Sequence, residues 1–285
     1  MGDLSKAVWR TAGTADVLHT QRLPTMPRLA ANLSFLFAER PFFERFEAAA
    51  RAGFKAVEYM FPYDYDATEI RRRLDAYGLQ QVLFNLPAGD WAAGERGIAC
   101  HPGREAEFRA GLERAVPLAK KIGVRQLNCL AGLQPAGASE SACRATMRAN
   151  LRWAADVVAD EGIRLLIEPI NSRVDMPGFW LDTPAKAVDL LSELAHPNLF
   201  LQYDVYHAFV MGSDVRVELP ALLPLVGHVQ IADSPGRHQP GTGGIPFAEV
   251  FSRLDAVGYS GWVGCEYRPL GASEASLAWA VDFLA

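Results

Sequence analysis

Glu168, Asp204, Gln230 and Glu266 each lie near the end of a short apolar run, in RLLIEPI, LFLQYDVYH, HVQIAD and WVGCEY respectively. Separations of 36, 26 and 36 residues are each about the length of one strand, one helix and their loops. That rhythm predicts four successive βα units, each sending one oxygen donor toward a common point. Two or three carboxylates with an amide oxygen make a hard donor set that suits Mg²⁺ or Mn²⁺ better than zinc. A single strand carboxylate is more often a salt-bridge partner or a solvated end, and Glu58 in KAVEYMF takes that plainer reading. Four such residues in consecutive strands weigh the other way, because burying carboxylates together without a cation is costly. His207, three residues after Asp204, falls just past a strand end, placed to hydrogen-bond a substrate or orient a ligand. Asp182 and Asp233 suit capping and loop roles.

The elements that must position these groups are legible from Leu29 onward. Eight strand-like runs are expected, at 29–37, 55–61, 81–87, 125–132, 164–170, 199–205, 228–233 and 262–267. Helical patterns alternate with them, and several carry punctuation. Asp182 or Thr183 precedes Pro184 at one start, and Gly53, Gly78, Gly123, Gly162 and Gly258 stand just past the last apolar residue of others. Strict alternation of strand and helix implies parallel strands. Eight repeats imply an α/β fold closed into a single (β/α)₈ TIM barrel, in which reacting groups sit at the C-terminal ends of the strands.

Residues 1–25 differ in texture, without a sustained period, and are expected to be a disordered extension ahead of a barrel spanning 26–285. Asp3, Asp16 and a scarcity of arginine argue against a targeting peptide there. A chain of 285 residues, half of them hydrophobic and 21% charged, suits one soluble barrel. The net charge of −5, with no basic cluster, disfavours nucleic acid as a partner. No apolar stretch reaches the roughly 18 residues of a membrane span. Cys100, Cys129, Cys143 and Cys265 form no CxxC pair and read as reduced thiols of a cytoplasmic protein. The oligomeric state is left open, self-association included.

At these residues the chain resembles the hydroxypyruvate isomerase family, within the xylose isomerase-like barrels. The resemblance runs from Arg28 to the C-terminus through ANLSFLF, VEYMFPYDYD, NLPAGDWAAGERGIAC, IEPIN, QYDVYH, HVQIADSPGRH, PGTG and GWVGCEY. It implies that Glu168 and Glu266 donate and accept the proton as well as binding the cation, with Asp204 and Gln230 completing the metal site. It also implies a small-molecule substrate, hydroxypyruvate, interconverted with 2-hydroxy-3-oxopropanoate (tartronate semialdehyde). The similar 2-oxotetronate isomerases differ in the IEPIN and GDWAAGERGIAC segments, which favours hydroxypyruvate. The chain departs from the family's usual pattern at Phe84, His101, Gln239 and Gly244.

These residue types fit the chemistry. Moving a carbonyl between adjacent carbons requires removal of a weakly acidic proton and passage through an enediol or enediolate. A divalent cation would stabilise that charge, and two glutamates beside the substrate would remove one proton and deliver another. Partial desolvation would raise a carboxylate's proton affinity toward that of a useful base. In the GDWAAGERG loop, Trp91 is expected to cover the site, with Glu95 and Arg96 as a lid pair. In ADSPGRHQPGTGG, Arg237 and His238 are expected to meet the substrate carboxylate. Rival readings are a 2-oxotetronate isomerase, a ketose 3-epimerase, a metal-dependent phosphodiesterase and a non-catalytic sugar-acid binder. A phosphodiesterase would call for more histidine ligands and a basic groove, and a binder would not need two carboxylates facing one cation.

Overall fold

The expected apolar runs form one sheet in the computed structural model, which describes residues 27–284. The expectation for residues 1–25 lies outside that range. In chain order the strands are β1 (Arg28–Asn32), β2 (Ala56–Glu58), β3 (Gln80–Gln81), β4 (Phe84–Asn85), β5 (Gln126–Cys129), β6 (Arg164–Ile167), β7 (Leu199–Asp204), β8 (Val226–Ile231) and β9 (Trp262–Cys265). Every pairing is parallel, in the order β3, β2, β1, β9, β8, β7, β6, β5, β4.

The third strand, expected as one run, is split into β3 and β4. The Gln81 side chain donates to the Leu83 carbonyl at 2.7 Å, which occupies that carbonyl at the bend. The stretch still bonds both neighbours. The Val82 amide donates to the Val57 carbonyl and the Asn85 amide to that of Met60, both at 2.9 Å, while the Leu86 amide donates to the Asn128 carbonyl at 2.8 Å. One bent strand therefore closes the sheet into the expected barrel.

The helices are α1 (Phe42–Arg51), α2 (Ala67–Tyr77), α3 (Glu105–Ile122), α4 (Glu140–Asp160), α5 (Pro184–Leu194), α6 (Val205–Met211), α7 (Val215–Leu222), α8 (Phe247–Ala256) and α9 (Val281–Leu284). Thr183, not Asp182, caps α5, accepting from the Lys186 amide at 3.3 Å. The five expected stop glycines all take left-handed backbone. Along α3, Phe108, Leu112, Ala115, Ala119 and Ile122 recur every three or four residues and are buried, a stripe of one helix face. Each fully buried large apolar side chain contributes about 1.5–3 kcal/mol. None of the described helices is long and apolar enough to cross a membrane.

Inside the barrel the chemistry changes along the strands. Ala30, Ala56, Val82, Leu83 and Leu166 form a separate small apolar cluster, with Phe200 and Trp262 against it. Two residues further along the same strands, on the same face, stand Asn32, Glu58, Glu168 and Gln202, all buried. An apolar plug thus supports a polar layer at the C-terminal mouth. Gly264 lies in register with Ala30 and Gln230. A Cβ there would press against the Glu58 carboxylate, for which the glycine leaves room.

Candidate active site

Glu168 immediately follows β6, Asp204 ends β7, Gln230 is the penultimate residue of β8 and Glu266 immediately follows β9. All four are buried. Glu168 accepts from Asn128 Nδ2 at 2.7 Å. Burial first, and then the Asp204 charge, push its carboxyl up to about 8. Burial likewise raises Asp204 to about 6, against the pull of Arg237. Glu266 is raised well above the usual carboxylate range by burial, and the Arg237 guanidinium opposes that shift.

Asp204 does two things with two oxygens. Its Oδ1 accepts from the Tyr206 and His207 amides, at 2.7 and 3.2 Å, and so caps α6. That helix, which follows the strand directly and was not expected, carries His207 inward. Oδ2 is buried with no hydrogen-bond partner, 3.7 Å from His207 Nε2. His207 is itself buried, and burial followed by the Arg237 charge holds it neutral, well below the usual imidazole range. Asn171 Nδ2 lies 2.7 Å from His207 Nδ1 and fixes the ring with Nε2 toward Asp204. Glu168, Asp204 and His207 each offer a donor atom, all within 4.8 Å of one another. An orphaned carboxylate oxygen beside a second buried carboxylate and a neutral imidazole fits a divalent cation. The structure therefore groups His207 with the candidate ligands rather than with the substrate contacts.

Gln230 and Glu266 belong to a network that the sequence reading missed. Gln230 Nε2 donates to Glu58 Oε1 at 2.7 Å and to Glu266 Oε2 at 2.5 Å, and Gln230 Oε1 accepts from Gln202 Nε2 at 2.6 Å. Asn32 Nδ2 bridges Glu58 and Glu266 at 3.0 and 3.1 Å. The His228 ring meets Glu58 Oε2 at 2.6 Å. Glu58 is thus neither a solvated end nor a surface salt bridge but the centre of a buried scaffold. A signal was available, since His228 and Gln202 stand two residues before Gln230 and Asp204 and so share their strand face.

Arg237 lines a cavity of about 330 Å³ together with Glu168, Glu266, Trp91, Phe35 and Asp175. It donates to Glu266 Oε1 at 2.5 Å and to Asp175 Oδ1 at 3.2 Å, and its guanidinium lies over the Phe35 and Tyr206 rings. Burial works against its charge, yet Glu266, Asp204 and Asp175 hold it protonated. Its φ of 56° is unusual for a non-glycine residue, a strain that clusters at functional sites. Asp233 organises the surrounding loop by accepting the Ser234, Gly241, Gly243 and Ile245 amides. Asp175, unnoticed in the sequence, also accepts from Tyr206 Oη at 2.8 Å and Asn171 Nδ2 at 2.6 Å.

The remaining expected contacts fall differently. Trp91 does line the cavity, against Phe61 at 5.0 Å, and Arg96 stacks on it at 4.3 Å. Glu95 forms no lid pair with Arg96. Its carboxylate is held by Arg104 and accepts the Asp90 amide at 2.5 Å, which pins the loop. His238 Nδ1 faces the Arg268 carbonyl at 2.8 Å, outside the cavity lining. Gln239 at its departure from the family pattern accepts the Leu270 amide at 3.0 Å.

A family model described as xylose isomerase-like TIM barrel matches residues 46–285. The chain belongs to that family. Within it, the chain is 47% identical over 259 residues to a 2-oxo-tetronate isomerase of Cupriavidus necator, covering 91% of this chain and 99% of that protein. It is 48% identical over 254 residues to the hydroxypyruvate isomerase of Escherichia coli K12, covering 89% and 98%. Among solved structures, one described as an AP endonuclease, family 2, from Brucella melitensis superposes with a TM-score of 0.88 at 46% identity, over 90% of this chain and 99% of that one. The family read from the sequence motifs is therefore borne out by relatives that span nearly the whole barrel.

Proposed function

We propose that this chain is a hydroxypyruvate isomerase, interconverting hydroxypyruvate and tartronate semialdehyde by proton transfer between Glu168 and Glu266. The carrying observation is the pair of buried carboxylates, Glu168 and Glu266, lining one cavity with the buried Arg237, which donates to Glu266 Oε1. Its volume suits a small acid. Arg237 binds the substrate carboxylate, and Trp91 with Arg96 stacked on it excludes water. One glutamate removes a C3 proton while the other delivers a proton to C2, the C3 hydroxyl proton passes to the C2 oxygen through the enediol, and the roles exchange in the reverse direction. Burial is what makes these carboxyls basic enough for the task.

Glu168, Asp204, Gln230 and Glu266, with His207 added, would hold a divalent cation, Mg²⁺ or Mn²⁺. When bound, it supplies electrostatic stabilisation of the negative charge that develops on the substrate oxygens. The proposal places the enzyme in the cytoplasm, in keeping with four buried, unpaired cysteines.

A second reading, 2-oxotetronate isomerase, is favoured by the Cupriavidus necator relative. The endonuclease activity of the structural relative does not transfer, since among the described residues His207 is the one histidine grouped with Glu168 and Asp204 and the chain is acidic. A coupled assay offering each acid, with and without chelator, decides. Faster turnover of hydroxypyruvate, abolished by chelator and restored by Mg²⁺ or Mn²⁺, is expected. Preference for the four-carbon acid would establish the second reading.

A further inference from the structure

The N-terminal end of the barrel, opposite the carboxylate cavity, carries its own cavity of about 470 Å³. The first inward-facing positions of β1, β5, β6 and β9 are Arg28, Gln126, Arg164 and Trp262. Register and strand alternation establish this, because Arg28 pairs with Trp262 and Gln126 with Arg164, and two residues on, Ala30 and Leu166 belong to the interior apolar cluster while Asn128 and Gly264 face Glu168 and Glu58. Arg125 joins them at the rim. No aspartate or glutamate lines this cavity. Among the described residues none of the three arginines forms a salt bridge, although most other arginines here do. Arg28 donates to the Ser260 carbonyl and lies 4.5 Å over Trp262, and Arg164 lies 5.4 Å over Phe200. These contacts orient the guanidiniums and leave most of their N–H donors and all of their charge uncompensated. Gln126 is 6% exposed and lines the same cavity, and its Oε1 is buried without a hydrogen-bond partner.

We infer that this floor cavity is a second ligand site, for a small multivalent oxyanion of the phosphate or phosphate-monoester class. Three exposed arginines lining one cavity without a carboxylate, in a chain whose net charge is −5, make a local positive potential that selects anions. Guanidinium forks match phosphate oxygens in pairs. The Gln126 side chain lies at the same cavity. The floor of a barrel of this kind is ordinarily a stability face, so a ligand there acts on the catalytic mouth only through the strands.

Titration of the full-length chain with inorganic phosphate, read by calorimetry, tests this inference independently of the reaction assigned above. Saturable binding is expected in the wild type and in Arg237→Ala, which removes the cation at the other mouth. Arg164→Ala and Arg125→Ala are each expected to weaken it roughly tenfold or more, as loss of a charge-assisted hydrogen bond implies. The rim substitution Arg125→Ala keeps the test informative if Arg164→Ala fails to fold. Absence of saturable binding, or binding abolished by Arg237→Ala and indifferent to both floor variants, would overturn the assignment and leave the arginines as stacking partners of the barrel floor. Binding that fails while isomerase turnover persists separates this inference from the catalytic reading.

Discussion

Glu168 and Glu266 differ in how many donors hold them, so the same substitution should act differently at each. Glu168 has one side-chain partner, Asn128 on Oε2. Replacing it with glutamine removes the transferable proton site with little disturbance. Turnover is expected to fall roughly 10²- to 10⁴-fold, the usual contribution of a general acid or base, while the melting temperature stays near wild type. Glu266 accepts from Gln230, Asn32 and Arg237. An amide NH₂ there faces a donor, so Glu266→Gln should lose turnover comparably and also about 1–3 kcal/mol of stability through an unsatisfied buried group. Kinetics paired with thermal melts check both, and near-wild-type turnover by either variant removes that residue from the chemistry. Arg237→Ala is expected to raise KM and lower kcat/KM by about one to two powers of ten, with Arg237→Lys recovering part, since lysine lacks the two-pronged geometry. Unchanged steady-state kinetics in the alanine variant would hand the carboxylate to the loop amides.

At the scale of elements, the strands were readable because each carries a short apolar run ending in a polar residue. The split of the third strand was not, because it follows from the Gln81 side chain meeting the Leu83 carbonyl, a local contact that leaves no periodic trace. Helix α6 was missed for a similar reason. Seven residues following a strand directly show no measurable period, and only Asp204 in its capping position announces them. The four ligand candidates were legible as strand-end carboxylates and an amide, and the strand alternation offered His228 and Gln202 beside two of them, whereas Glu58 and Asn32 required the strand registers that bring them together. Gly264 is the element-scale test of that interior layer. Gly264→Ala places a methyl against the Glu58 carboxylate, and overpacking of this kind destabilises by about 1–3 kcal/mol. Denaturant unfolding should report that loss together with reduced turnover, because the displaced Glu58 no longer holds Gln230. Wild-type stability in the alanine variant would mean that Glu58 has room to move and does not anchor the layer.

For the whole molecule, alternation of strand and helix was sufficient to predict a closed barrel, and closure is what brings β1, β2 and β6 to β9 to one mouth. Residues far apart in the chain, Asn32 and Glu266 among them, become hydrogen-bonded neighbours only through it. The same closure opposes two mouths of contrary charge, carboxylates at the C-terminal end and unpaired arginines at the other. Function rests on the carboxylate mouth, and the mechanism assigned to it has one glutamate take a substrate proton while the other delivers one drawn from solvent. The decisive measurement is therefore hydroxypyruvate isomerisation in D₂O, followed by NMR with the metal-supplemented enzyme. Deuterium at C2 of the tartronate semialdehyde formed in a single turnover is the expected result, and its loss of rate in Glu168→Gln should follow the loss of turnover. Product formed without solvent deuterium would contradict proton exchange at the two carboxylates and point instead to a direct hydrogen shift, and no conversion at all would contradict the assigned reaction.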